Sequence, residues 1–196
     1  MQPADVRAEW RISKQRRRAE CLAQRGLSPA PATGPALLRA LTPLLVDAVT
    51  VASYASFGAE PDTGPINAAL LAAGVRVLLP VLHPDGDLGW AVHDGTLLAA
   101  GRGLRQPPGA DLGTGAVAGA QVVLVPALAV DRSGVRLGRG GGSYDRALPR
   151  ATGLVVALLH DGELVDSLPA EPHDVRVGAV VTPAGGVIHL PGGMAG

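Results

Sequence analysis

Four runs of the chain, "VRVLLPVL", "QVVLVPALAV", "GLVVALLH" and "VGAVVTP", are apolar on successive positions rather than on alternate ones. A strand that is greasy on both sides has to be covered on both sides, which is the condition of a parallel sheet inside an α/β domain. "DAVTVASYAS" adds a fifth, β-branched run that ends in a turn. Helix-length segments separate these runs. In "AEPDTGPINAALLAAG", Asp62 or Thr63 can cap a helix that sets Ile66, Leu70 and Ala73 on one face and closes at Gly74. Together with "VRVLLPVL" it makes a β-α-β unit, so its two strands are expected to be parallel. Further helices are expected over residues 5–25, ended by Gly26, over 37–45, with Pro43 as kink or end, and from "YDRALPRA". The expectation is an α/β fold: a single-domain three-layer sandwich, mostly parallel sheet flanked by helices, Rossmann-like. "VGAVVTP" is its last expected strand. The stretch from "HPDGDLGWAVHDG" to "GRGLRQPPGADLGTGAVAGA" reads as hairpin or loop, and the tail at 191–196 is expected to be disordered.

A length of 196 residues suits one core, so residues 1–196 are read as one domain. Aromatics are 3% of the chain, which leaves Val, Leu and Ala to build the interior. The net charge is zero, yet residues 1–25 carry seven basic groups (Arg7, Arg11, Lys14, Arg16, Arg17, Arg18, Arg25) against three acids. Such a helix is a solvated face, an anion site or an RNA contact. The RNA reading lacks interleaved aromatics and a domain-wide positive charge, so no nucleic-acid partner is expected. Cys21, the single cysteine, has no partner for an internal disulfide or a zinc site. No apolar run approaches the roughly 20 residues of a membrane span. A cytoplasmic protein without a membrane partner is expected.

"GVRLGRGGGSYDR", Gly134 to Arg146, is the segment that carries chemistry. Glycines at 138, 140, 141 and 142 let backbone N–H groups converge without side chains in the way, and phosphate is the natural occupant. It is not a Walker loop, because Lys14 is the only lysine in the chain, and Ser143 stands where a dinucleotide fingerprint needs its third glycine. Asp145 follows directly. A carboxylate within about 5 Å of phosphate is repelled unless a cation lies between them, and Mg²⁺ accepts one or two carboxylates along with phosphate oxygens. Against this stands a plain flexible turn, with Asp145 a first-turn helix acid.

"VVLVPALAVDRSGVRLGRGGGSYDRAL" resembles the signature of the 5-formyltetrahydrofolate cyclo-ligases, also called methenyltetrahydrofolate synthetases. "ASYASFGAEPDT", "GVRVLLPVL" and "EPHDVRVGAVVTP" resemble three further segments of that family, in the same order. The resemblance implies ATP- and Mg²⁺-dependent conversion of 5-formyltetrahydrofolate to 5,10-methenyltetrahydrofolate, with release of ADP and phosphate. It implies that Gly138 and Gly140 to Tyr144 (Gly140, Gly141, Gly142, Ser143, Tyr144) cradle the triphosphate. Arg136 and Arg146 are implied as supporting cations, and Arg146 and Tyr144 as the catalytic residues, while Arg139 adds a further cation beside the phosphates. Asp145 and Asp174 are implied as metal ligands, although Asp174 could be an exposed loop acid. Glu60 is implied as a pterin ligand, or serves as a helix-start charge, and Tyr144 lines the folate side too. Trp90 stacks on the pterin or fills the core. Arg7 and Arg11, at i and i+4, match the family's basic pair for the nucleotide, or form a solvated face.

Departures from the family pattern are Arg7 where Lys is usual, Arg139 where Tyr is common, Ser143 where an aromatic is common, and Gly178 in place of an acid. The expected partners are a reduced folate and ATP, bound by a monomer. The alternative is a relative that binds folate or nucleotide without turnover.

Overall fold

The computed structural model describes residues 3–26, 33–101, 103–171 and 174–191, with backbone alone for 3–11. In chain order the elements are α1 (Pro3–Gly26), α2 (Gly34–Leu45), β1 (Thr50–Ala52), α3 (Gly64–Ala72), β2 (Arg76–Leu82) and β3 (Leu88–Val92). Next come β4 (Leu98–Ala99), β5 (Arg105–Gln106), β6 (Val122–Pro126), β7 (Ala129–Asp131), β8 (Arg136–Leu137) and α4 (Ser143–Ala147). The chain ends with β9 (Leu154–Leu158), β10 (Leu164–Val165), β11 (Ala179–Thr182) and β12 (Gly186–His189).

Seven strands form the main sheet in the order β12-β11-β9-β6-β1-β2-β3. All five expected runs supply its inner strands, which are mutually parallel. Alternate residues of these strands bury on opposite faces, as the pleat requires. Leu124, Val156 and Leu158 meet Leu37 and Leu41 of α2 and Ile66 and Leu70 of α3. Val123, Val125 and Ala157 meet Trp90, Val117 and Leu148 on the other side. Each such side chain contributes about 1.5–3 kcal/mol on burial, which is why the runs lack polar positions. Counted along the chain, the parallel strands lie in the order 2-1-3-4-5, so the sheet changes its direction of growth between β1 and β6. In an open α/β sheet that crevice is where ligands bind.

The structure departs from expectation at several points. β11 is not last: a turn at 183–185 returns the chain as β12, antiparallel to it. The central segment, by contrast, keeps to the first of its two readings and forms hairpins, β3 pairing antiparallel with β2 and β5 with β4. α2 runs through Pro43 to Leu45. Ala73 is exposed, and Asn67 takes the inner position on α3, donating through Nδ2 to the Tyr54 carbonyl at 3.0 Å. Thr63 stands at the N-cap of α3 without capping it. Its hydroxyl instead donates to the Tyr54 carbonyl at 2.7 Å and accepts from Ser56 N–H at 3.0 Å, closing the loop after β1. Of the expected disordered tail, residues 192–196 lie outside the described residues. No helix among the described residues is long and apolar enough to cross a membrane.

β9 enters the sheet at Gly153, where a Cβ would overlap the carbonyl oxygens of Ala120 and Gln121. Gly153→Ala is expected to cost about 2 kcal/mol by overpacking. A lower urea midpoint with an unchanged slope would show it.

Candidate functional site

A cavity of about 440 Å³ opens at the carboxyl ends of β1, β2 and β6. Its position is the crossover between β1 and β6. Tyr54, Phe57 and Glu60 line it from the segment after β1, and Ala127 and Leu128 from the segment after β6. Arg136 and the glycines at 138, 140, 141 and 142 form another wall. Lys14, Arg18 and Arg25 of α1 close a third side, and Leu104, Arg105 and Gln106 of the β4–β5 hairpin a fourth.

The glycine loop does not follow β6 directly. β7 and β8 intervene and join β10 in a separate three-stranded sheet. Asp131, buried, pins their turn: its carboxylate accepts from Ser133 N–H at 2.9 Å, Ser133 Oγ at 2.7 Å, Val135 N–H at 3.0 Å and Leu168 N–H at 2.9 Å. Burial raises the pKa of Asp131, but these donors outweigh it and hold the carboxyl below its ordinary value. β8 then delivers the chain into the loop. Gly142 has φ +72° directly before α4, a conformation costly for any side chain. A Cβ on Gly138 would lie 2.7 Å from the Arg136 guanidinium. The helix that follows, α4, has only five residues. Its aligned peptides are too few to form an anion site, so that work falls to side-chain cations.

Arg136 is as enclosed as Arg25, with 5% of its side chain exposed. Nη2 donates to Asp145 Oδ1 at 2.6 Å and Nη1 to the Pro126 carbonyl at 3.3 Å, and the guanidinium lies 5.6 Å from the centre of the Tyr144 ring. Its Nε is buried without a partner among the described residues. Arg139 donates from Nε to Glu60 Oε1 at 3.2 Å and lies 4.5 Å above the Phe57 ring. Glu60 is buried, which raises its carboxyl above the ordinary glutamate value, while the Phe57 N–H and Arg139 pull the other way. Lys14 Nζ bridges both oxygens of Asp174 at 2.7 and 3.1 Å. Arg18 Nε donates to the Gly138 carbonyl at 2.9 Å. The hydroxyls of Tyr54 and Tyr144 are buried without a partner among the described residues. Burial, with the charge of Glu60 second, pushes both phenols well above the usual tyrosine range. They stay neutral, so each keeps a proton to donate.

Of the residues expected at the site, Glu60, Arg136, Gly138, Arg139, Gly140, Gly141, Gly142, Ser143, Tyr144, Asp145 and Asp174 all line this one cavity. Two do not. Trp90 is fully buried in the core, so no ligand reaches its ring. Arg146 is on the outer face of α4, donating to the Gly86 and Gly141 carbonyls at 3.3 Å, and ties the loop to the β2–β3 turn. Arg7 and Arg11 fall on α1, but their side chains lie outside the described residues.

Lys14, Arg18 and Arg25 were missed. Their signal was present in the spacing 7, 11, 14, 18, 25, which continues the Arg7/Arg11 pair along one helix face. Arg16 and Arg17 lie off this row and pair with Glu20, each at 3.1 Å, in solvent. Among the described residues no three His, Cys, Asp or Glu side chains converge, so Asp145 and Asp174 do not form a ready-made metal cage.

The profile of the 5-formyltetrahydrofolate cyclo-ligase family matches residues 5–183. The 5-formyltetrahydrofolate cyclo-ligase of Mycolicibacterium smegmatis is 47% identical over 158 residues, 76% of this chain and 81% of that protein. That of Escherichia coli K12 is 40% identical over 149 residues, 72% of this chain and 82% of that protein. The solved structure of Aquifex aeolicus 5,10-methenyltetrahydrofolate synthetase aligns with a TM-score of 0.78 at 24% identity, over 93% of this chain and 95% of that one. The Mycoplasma pneumoniae synthetase aligns at 0.68 and 18% identity, over 85% and 96%. The two structures share the fold, and the family match spans the sheet, the glycine loop and the crossover cavity between them. The chain therefore belongs to the 5-formyltetrahydrofolate cyclo-ligase family of enzymes.

Proposed function

We propose that this cavity binds ATP and 5-formyltetrahydrofolate side by side and converts the folate to 5,10-methenyltetrahydrofolate, releasing ADP and phosphate. The observation that carries the reading is the opposition of two walls across one crevice. One holds the glycine loop with Arg136 and Asp145, and the other holds the buried acceptor Glu60.

An N-formyl oxygen is a poor leaving group. Transfer of the γ-phosphoryl to that oxygen makes it a phosphate ester, N10 attacks the activated carbon, and phosphate departs. No protein nucleophile is needed, and catalysis consists of alignment and charge neutralisation. Glu60 accepts hydrogen bonds from the donor edge of the pterin. The loop N–H groups, Arg136, Lys14 and Arg18 surround the phosphates, and the neutral Tyr144 hydroxyl donates near the transferred group. With only one or two carboxylates in the wall, the donor set suits Mg²⁺ arriving with the nucleotide, held by Asp145 and Asp174. When bound it would neutralise phosphoryl charge. The reaction is placed in the cytoplasm, where the free thiol of Cys21 fits a reducing compartment, with the chain acting as a monomer on two small molecules.

The test is absorbance growth at the methenyl-folate band with 5-formyltetrahydrofolate, ATP and Mg²⁺. Turnover is expected only with all three present. A folded sample that binds both ligands without ADP release would instead establish a non-catalytic relative.

A further inference from the structure

We propose that Arg139 is a latch between the two substrate sites: it holds Glu60 until a triphosphate draws it away, so that nucleotide binding opens the folate site. The proposal rests on the cyclo-ligase reading above and concerns a position at which this chain departs from the family pattern.

Glu60 has 5% of its side chain exposed, and both its oxygens are engaged. Oε2 accepts from the Phe57 N–H at 3.2 Å, and Oε1 accepts from Arg139 Nε at 3.2 Å. A ligand that presents two donors to this carboxylate must therefore compete with the guanidinium. The same guanidinium lies 4.5 Å over the Phe57 ring, which gives the closed arrangement a second hold.

Arg139 is also part of the loop proposed to cradle phosphate, and 39% of its side chain is exposed at the cavity rim. The other cations of this region have different attachments. Arg136 is held by Asp145 of α4, Arg18 by the Gly138 carbonyl, and Lys14 by Asp174. Arg139 joins the loop to the opposite wall. A triphosphate carries several charges and matches the guanidinium fork, whereas Glu60 carries one charge and receives a single bond from it. Triphosphate in the loop outcompetes Glu60 for Arg139, and Glu60 is then left to the pterin.

One such ion pair corresponds to about a tenfold change in affinity. Folate should bind about tenfold more tightly in the presence of nucleotide, and by linkage nucleotide should bind more tightly by the same factor in the presence of folate.

The experiment is calorimetric titration of the full chain with 5-formyltetrahydrofolate, with and without the non-hydrolysable analogue AMP-PNP and Mg²⁺. Wild type is expected to show the tenfold difference. Arg139→Gln and Arg139→Tyr should reduce it to within about twofold. The tyrosine is common at this position in the family, so the second variant guards against a glutamine variant that does not fold. Arg139→Lys, which keeps the charge but not the planar stack, should retain part of it. A purely structural role for Arg139 would weaken binding equally in both conditions and leave the ratio alone. Equal folate affinities in wild type, or a ratio unchanged in both neutral variants, overturns the latch. Absence of folate binding in either condition removes the cyclo-ligase reading and the latch together.

Discussion

Alanine at position 145 is expected to lower turnover about 10³-fold while ATP still binds when divalent cation is withheld. Asp145 Oδ1 accepts from Arg136 at 2.6 Å, and 42% of the Asp145 side chain is exposed against 5% for Arg136. The acid is thus the reachable member of the pair, and its second oxygen has no partner among the described residues. Its loss removes the metal ligand proposed for the loop and frees a buried guanidinium to meet phosphate directly. Calorimetry should find that Mg²⁺ no longer improves ATP affinity. Arg136→Met should act in the opposite sense. It leaves a carboxylate facing the triphosphate and removes one or two charge-assisted hydrogen bonds, so the KM for ATP should rise about 10- to 100-fold. If both variants lose kcat and keep wild-type nucleotide affinity, neither residue touches the phosphates.

Breaking the pair between Arg25 and Glu163 should cost about 3–5 kcal/mol of stability. Both guanidinium nitrogens that reach Glu163 do so at 2.7 Å, with 5% and 15% of the two side chains exposed, and Nη2 also donates to the Ala127 carbonyl at 2.6 Å. Arg25→Met leaves the Glu163 carboxylate with the His160 N–H as its one remaining hydrogen-bond donor among the described residues. The melting temperature should fall by about 10 °C for a domain of this size. Replacing both residues with methionine should recover most of that loss, because the desolvation cost leaves along with the attraction. Arg25 is the inner end of the α1 face that brings Lys14 and Arg18 to the cavity. Thermal scans of the two single variants and the double variant, read as a cycle, give the coupling. A double variant destabilised by the sum of the two single losses would mean that the bridge itself contributes nothing.

The parallel sheet was legible because burial on both faces leaves no room for polar residues, a constraint that writes itself along whole runs. β12 was not legible for the converse reason: it is a short, half-buried antiparallel edge strand with a mixed pattern. The glycine loop could be read because left-handed turns and close approaches restrict residue type directly. Cations on helices carry no such restriction. Nothing in "QRRRAE" states which arginine docks, and only the longer row from Arg7 to Arg25 does. Arg136 and Arg146 are likewise equivalent by type. One is enclosed on β8 and the other exposed on α4, a difference set by how the small sheet meets the large one. Trp90 shows the same limit: a lone aromatic fills a core or a binding site with equal chemistry.

That small sheet also bears on how the reaction is brought about. Glu60 hangs from the loop after β1 of the seven-stranded sheet, whereas the glycine loop leaves from β8 of the three-stranded one. On the proposed chemistry, donor and acceptor of the phosphoryl group thus ride on separate platforms. Substitutions inside the small sheet, at Asp131 or Leu168, would shift one platform against the other without touching either substrate.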